Sequence, residues 1–431
     1  MTMFSTYTIR CAFLALLLAS CGHVFGQTKE TLFNFPGGAT GSGPMSGLVM
    51  DKDGNFYGTT FGTTILPSSS VVFKLSRTSQ GWTETVLHLF TGQGDGINPA
   101  AGVTLDGKGN IFGTTQYGGT ENCINGSGSS CGAVYELSPN GSGGWNEQLL
   151  YSFPSTGATN PTAGVILDAM GNVYGTASIG GISSCPSSNI GCGAVFKLTH
   201  GSTGWTFKTL HYFHWLQSRP DGALPQASLF EDAQHNLFGT TVVGGTANAG
   251  SVFELSPTKS GAYTISLPGS FQTTGDSGLE PSSGLFHDQQ GNFYGTTSFG
   301  GTVNSACRFG CGTVFELSPG ASGWELQTLY SFQGGTDGIL PLHTTLAMDP
   351  KGNLYGVTAQ GGTTDCNCGV VYELSPSASG GWSEKVLYVF QGGTDGAFPV
   401  GAIVVDAGGN IYGTTQAGGP SGAGTVYKIV P

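Results

Sequence analysis

The phrase Gly-Asn-apolar-aromatic-Gly-Thr-Thr, with small departures, occurs seven times along the chain, at 54–60, 109–115, 171–177, 235–241, 291–297, 352–358 and 409–415. Its asparagines are Asn55, Asn110, Asn172, Asn236, Asn292, Asn353 and Asn410, spaced 55, 62, 64, 56, 61 and 57 residues apart. No linker interrupts the series. A unit that recurs in this way buries its apolar face only against its neighbours, so the array folds as one body.

Each copy holds four strand-like runs. In the second copy they are 101–106, 110–115, 133–137 and 145–153, rich in β-branched and aromatic residues and bounded by Gly, Pro, Asn or Ser. No segment keeps the apolar period of a helix, so helices are expected to be nearly absent. The period is too long for one coil of a β-solenoid. Four strands per unit suit a propeller, whose blades usually number about four to eight. The expected fold is therefore all-β: a seven-bladed β-propeller with four strands per blade. The last copy stops at its third strand, 424–429, while 30–35 reads like the fourth strands 85–90 and 327–332. The N-terminal strand is thus expected to close the last blade.

Composition agrees. Glycine accounts for 75 of the 431 residues, without a Gly-X-Y period, as many tight turns require. Charged residues make up only 9 %, and the formal net charge is −12. With no basic stripe, such a surface repels phosphate backbones and argues against nucleic-acid binding. It permits cation binding or a neutral polar ligand such as a glycan.

Two segments carry a closer likeness. Gly-Asn-Leu-Tyr-Gly-Val-Thr-Ala-Gln-Gly-Gly at 352–362 and Gly-Val-Val-Tyr-Glu-Leu-Ser-Pro at 369–376 resemble the bacterial GloVer tandem repeat of choice-of-anchor surface proteins. The resemblance implies export and repetition. It implies no activity and supplies no catalytic residues.

The N-terminus reads as a targeting segment. Arg10 precedes the apolar run 11–19, which is too short to span a bilayer. Two processing sites compete: Leu-Ala-Ser-Cys at 18–21 resembles a lipobox that would place a lipid on Cys21, and Val-Phe-Gly at 24–26 precedes Gln27. The division expected is a signal peptide at 1–26 and a single propeller domain at 27–431. The mature protein is expected outside the cytoplasm, as a monomer with no transmembrane helix. Family members often end in a C-terminal anchor; the chain ends at Pro431 without such a tail, so any anchor is expected to be a lipid on Cys21.

Eight further cysteines fall in pairs: Cys123 with Cys131, Cys185 with Cys192, Cys307 with Cys311, and Cys366 with Cys368. Each pair lies between the second and third strands of its unit. Paired cysteines in an exported chain read as disulfides. Zinc is the rival reading, but no His stands at ligand spacing beside them.

Other motifs read as structural. Asp51-Lys-Asp-Gly-Asn55 begins like a calcium loop, but Phe56 stands where such a loop needs Gly, so a hairpin turn is expected. Asp95, Asp221, Asp276, Asp337 and Asp395 precede prolines in the connections between units and read as turns. Ser130 fills the nucleophile slot of Gly-Ser-Ser-Cys-Gly at 128–132 but lacks the strand-to-helix elbow such a serine needs. His211 and His214 lie in an expected strand, where residues three apart face opposite sides. No cofactor or metal motif stands out. Trp82, Trp145, Trp205, Trp324 and Trp382 start fourth strands and are expected to pack between blades, whereas Trp215 falls outside the repeat.

A binding module for a glycan, peptide or surface partner is the leading expectation. The alternatives are a scaffolding surface protein and a propeller enzyme, a lyase or hydrolase. The longer, more variable loops share one face with the segment 212–220, where the chain departs most from its repeat. Trp215, Arg219 and Asp221 are the ligand-binding residues expected there, near the central channel.

Overall fold

The structure is a computed structural model. It describes residues 27–431 apart from 63–68, 121–130, 155–156, 182–184, 186–190, 217–218, 363–364 and 378–379. Residues 1–26, Cys21 among them, and Cys123 and Ser130 lie outside the described residues.

Seven four-stranded antiparallel sheets follow one another and form a seven-bladed β-propeller. Blade 2 is typical, with strands Thr104–Leu105, Ile111–Thr115, Ala133–Pro139 and Trp145–Ser152. No α-helix occurs among the described residues. The innermost strand is shorter than the sequence suggests, a two-residue ladder rather than the run 101–106. Part of that run is spent on the neighbouring blade: the carbonyl of Ala101 accepts from Thr59 Oγ1 of blade 1 at 2.8 Å.

That bond explains the recurring threonine. Thr114 donates to the Ala163 carbonyl at 2.8 Å, Thr240 to Ser283 at 3.1 Å and Thr296 to Pro341 at 3.0 Å, each reaching the inner strand of the next blade. Thr176 reaches Ala227 at 3.3 Å, and Thr414 closes the circle onto Ser46 at 3.0 Å. Blade 6 carries Val357 at this position and has no hydroxyl to give. The glycine before the threonines has an equally local reason. Gly58 pairs across the strand with Phe73, whose ring covers it, and a Cβ there would come within 2.7 Å of Phe73 Cζ.

The aspartate turns hold as expected. Asp51 Oδ1 accepts the backbone N–H groups of Asp53 and Asn55, both at 2.9 Å, while Oδ2 accepts Asn55 Nδ2 at 2.8 Å and the Tyr57 hydroxyl at 3.1 Å. Asp106, Asp168, Asp232, Asp288, Asp349 and Asp406 repeat the same amide pattern.

The N-terminal strand closes the ring. Thr28–Asn34 pairs with Thr425–Val430 as the outer strand of blade 7, with Thr28 opposite Val430 and Asn34 opposite Thr425. The core lies between blades as a series of clusters. Trp82 packs with Phe56, Phe73 and Tyr412 between blades 1 and 7, and Trp145, Trp205, Trp324 and Trp382 pack against other such clusters.

The cysteines brace the loops of one face. Cys185–Cys192, Cys307–Cys311 and Cys366–Cys368 are closed, with Cα separations of 5.2, 5.1 and 5.1 Å, and Cys131 is disulfide-bonded. Asn367, at φ 53°, turns the chain back between Cys366 and Cys368. The carbonyls of Cys131, Cys192, Cys311 and Cys368 accept the amides of Asn160, Leu224, Leu340 and Phe398. Those four residues all have positive φ, between 58° and 63°, and each immediately precedes the proline that enters the next inner strand. Each disulfide therefore steadies a loop that hands the chain from blade to blade.

Candidate functional site

Hairpins within blades occupy one face; the disulfide loops and the blade-to-blade connections occupy the other. The loop face carries two features that break the repeat.

The first is at blade 3. Its outer strand ends at Tyr212, and the chain then turns away, so the alternation expected to separate His211 from His214 does not extend to His214. Both imidazoles reach Asp221 Oδ2: His211 Nε2 at 3.0 Å and His214 Nδ1 at 3.3 Å. Asp221 Oδ1 accepts the His214 backbone N–H at 2.8 Å. The three side chains are only 12 %, 16 % and 8 % exposed. Trp215 is half-buried and packs against the cluster of Phe213, Ala223 and Leu229 rather than standing free. Trp215 and Leu216 pair with Pro220 and Arg219 as a two-residue ladder, and the side chain of Arg219 lies outside the described residues.

Asp221 has counterparts around the ring. Asp337 Oδ1 accepts the Tyr330 hydroxyl at 2.8 Å, Asp395 Oδ1 accepts that of Tyr388 at 2.7 Å, and Asp95 lies 3.5 Å from His88 Nε2. The carboxylates of Asp95 and Asp395 also accept the amides of Thr91 and Gln391. These aspartates lock the turn after the outer strand. Asp276 does not join them: Ser277 takes that place, accepting the Gln272 amide at 2.9 Å, because Asp276 stands one residue out of register.

The second feature is the central channel. A cavity of about 440 Å³ runs along it, walled by the inner strands of all seven blades. Much of the wall is small, with Gly47, Gly102, Gly164 and Gly284 beside Ala100, Ala101 and Ala163, and Met45, Leu48, Phe61 and Ile166 add larger apolar side chains. Ser46, Gln116, Thr162, Gln226, Ser228 and Thr345 add hydroxyls and amides. No Asp, Glu, Lys or Arg lines it among the described residues, and neither Trp215 nor Asp221 reaches it. The expected ligand residues therefore sit on the loop face but away from the channel. They start the connection at the outer strand of blade 3, a blade's width from the axis.

The titratable group in the channel wall is His343, which sequence reading passed over. Its Nδ1 lies 3.3 Å from the Ser282 carbonyl, and desolvation in the wall holds its pKa below the usual imidazole value. Its signal was a count. Proline and the next core residue are separated by three residues in 44–48, 99–103, 161–165, 225–229, 281–285 and 399–403, but by four in 341–346. The extra residue is accommodated with His343 at φ 51°.

Blade interfaces hold further shifted groups. Glu384 on the outer strand of blade 6 faces Asp337 of blade 5, and burial with that neighbouring carboxylate pushes its pKa up to about 8. Lys29 occupies the corresponding place on blade 7.

No curated protein sequence matches the chain. Among solved structures, a polysaccharide lyase described as an ulvan lyase superposes with a TM-score of 0.53 at 12 % identity, over 93 % of this chain and 95 % of its own. A luciferin-regenerating enzyme gives 0.43 at 11 % identity, over 94 % and 96 %. A gluconolactonase from Xanthomonas campestris gives 0.42 at 11 % identity, over 94 % and 89 %. Identities this low speak to the fold alone. The family comparison is more direct. The Gloeobacter/Verrucomicrobia repeat matches three overlapping stretches, 20–183, 123–319 and 271–431, that together take in all seven blades, and the chain belongs to that repeat family.

Proposed function

We propose that this protein is an exported binding module that takes a small neutral polar ligand, of the sugar class, into its central channel from the loop face. The observation that carries the reading is the channel itself: about 440 Å³, with no Asp, Glu, Lys or Arg in its wall, lined by glycine, alanine, hydroxyl and amide groups together with apolar side chains such as Met45, Phe61 and Ile166. That volume falls within the range of about 300–1,000 Å³ typical of small-molecule pockets. Hydroxyls and amides offer both donors and acceptors to a ligand that carries the same groups. A charged ligand would lose its hydration without a counter-charge, so the wall selects against it.

Export rests on the closed disulfides, which persist in oxidising compartments. The leader at 1–26 supplies the route, with processing before Cys21, which would carry lipid, or before Gln27. Among the described residues no helix is long and apolar enough to cross a membrane.

The test is an array of neutral glycans, charged glycans and peptides probed with the ring 27–431. The reading expects neutral glycans to be retained and displaced by the free sugar. Retention confined to polyanions or peptides, or no retention at all, overturns it; the last outcome favours a scaffolding surface protein.

A further inference from the structure

We propose that His211, His214 and Asp221 form a binding site for one divalent transition-metal ion of the Zn²⁺ class, independent of the channel. Their ligating atoms, His211 Nε2, His214 Nδ1 and a carboxylate oxygen of Asp221, all lie within 4.8 Å of one another. Two imidazoles and a carboxylate suit zinc, whose bonds of about 2.0–2.2 Å place neighbouring ligand atoms about 3.3 Å apart in a tetrahedron. The imidazole–carboxylate separations of 3.0 and 3.3 Å need little adjustment to admit the ion.

The other blades show what the turn itself needs. Where blade 3 has His211, blades 5 and 6 have Tyr330 and Tyr388, each donating its hydroxyl to the equivalent aspartate. Where blade 3 has His214, those blades have Gln333 and Gln391, whose amides make the equivalent turn bond. Locking the turn therefore needs neither histidine. Blade 1 carries one of them, His88, but Thr91 stands at the second place. Among the described residues, the three ligands meet only at blade 3.

Preorganisation is built in. The His214 amide holds Asp221 Oδ1 and leaves Oδ2 toward the two rings. A second shell of this kind fixes a ligating carboxylate before the ion arrives. The wall behind the site is apolar: Ile265 of blade 4 stands where blades 2, 6 and 7 put Glu147, Glu384 and Lys29, and it packs with Phe213 and Trp215. No side chain of like or opposite charge competes from that strand position. Three protein ligands leave one tetrahedral position for water or an incoming donor, as in open zinc sites.

The probe is the metal alone. Zinc retained after dialysis is counted by elemental analysis, and Co²⁺ is titrated for the visible spectrum of a tetrahedral site. The variants are His211→Tyr and His214→Gln, which install the residues blades 5 and 6 already use and so preserve the fold. His88→Tyr is the control. One zinc per chain is expected in the parent and in His88→Tyr, with affinity reduced in each of the other two by more than the about 10- to 100-fold that loss of an outer-shell partner costs. Absence of zinc from the parent at micromolar metal overturns the proposal. So does undiminished affinity in either His211→Tyr or His214→Gln. Melting in the presence of a chelator, unchanged from the parent, certifies that the variants fold.

Discussion

Lys29 Nζ lies 2.8 Å from Asp395 Oδ1, with the lysine side chain 5 % exposed, and this ion pair ties the first described strand of the chain to blade 6. The same ammonium sits 5.8 and 5.7 Å from the ring centres of Tyr388 and Phe390. A residue near the chain's start is thus buried against its sixth blade, completing the interface between blades 6 and 7.

Replacing Lys29 by Met keeps the stem and removes the charge. The loss is expected to cost about 2 kcal/mol, the scale of a charge-assisted hydrogen bond. Deleting residues 27–36 goes further, exposing the edge of Thr425–Val430, an invitation to intermolecular strand pairing. Urea melts and light scattering check both: a shifted midpoint for Lys29→Met, and loss of a monomeric cooperative transition for the deletion.

Thr414→Val removes the hydroxyl that joins blade 7 to Ser46 of blade 1. The expected loss is about 1 kcal/mol in chemical denaturation. Thr176→Val should cost less, because its bond is longer at 3.3 Å. Equal losses, or none, would remove these bonds from the account of ring closure.

Glu384 sets a pH dependence. Its folded pKa, raised to about 8, lies above the ordinary carboxylate value of 4.5. The native state therefore keeps a proton that the unfolded chain releases, and stability falls as pH rises from about 4.5 toward 8. Glu384→Gln should melt higher than the parent at pH 8 and flatten the slope between pH 5 and 8. Thermal melts across that interval decide it; an unchanged slope would place Glu384 in the ionised form throughout.

Reduction of the disulfides should lower the melting temperature without opening the ring at room temperature. Each bridge closes a short loop, worth about 2 kcal/mol in chain entropy. Calorimetry with and without reductant, with peptide mapping of Cys185 and Cys192, tests this.

The ring was legible in the sequence because its determinants are local. Asp51 to Asn55 specifies a turn, Gly58 makes room for one aromatic ring, and Thr59 carries the bond to the next blade. The orphan strand at the N-terminus was legible because it repeats a pattern seen elsewhere. The sites were less so. Whether His211 meets His214 depends on the strand ending at Tyr212, a boundary that alternation does not reveal. The distance of Trp215 from the channel follows from where the connection begins on the blade, which spacing along the chain does not measure. His343 emerges from one inserted residue, visible only after the register of every inner strand is known.

The central claim is that the channel holds a neutral ligand admitted from the loop face. Its most direct test is calorimetric titration of the tightest neutral glycan from the array into the parent, Ala100→Trp, Gln226→Trp and the double variant Lys52→Ala/Lys108→Ala. Ala100 and Gln226 line the cavity, whereas Lys52 and Lys108 stand on the hairpin face. Filling the cavity from either wall should weaken binding about 100-fold or more while melting stays at the parent's value. The lysine variant should bind like the parent. Parent-like affinity in both tryptophan variants, or loss of binding only in the lysine variant, would contradict the account.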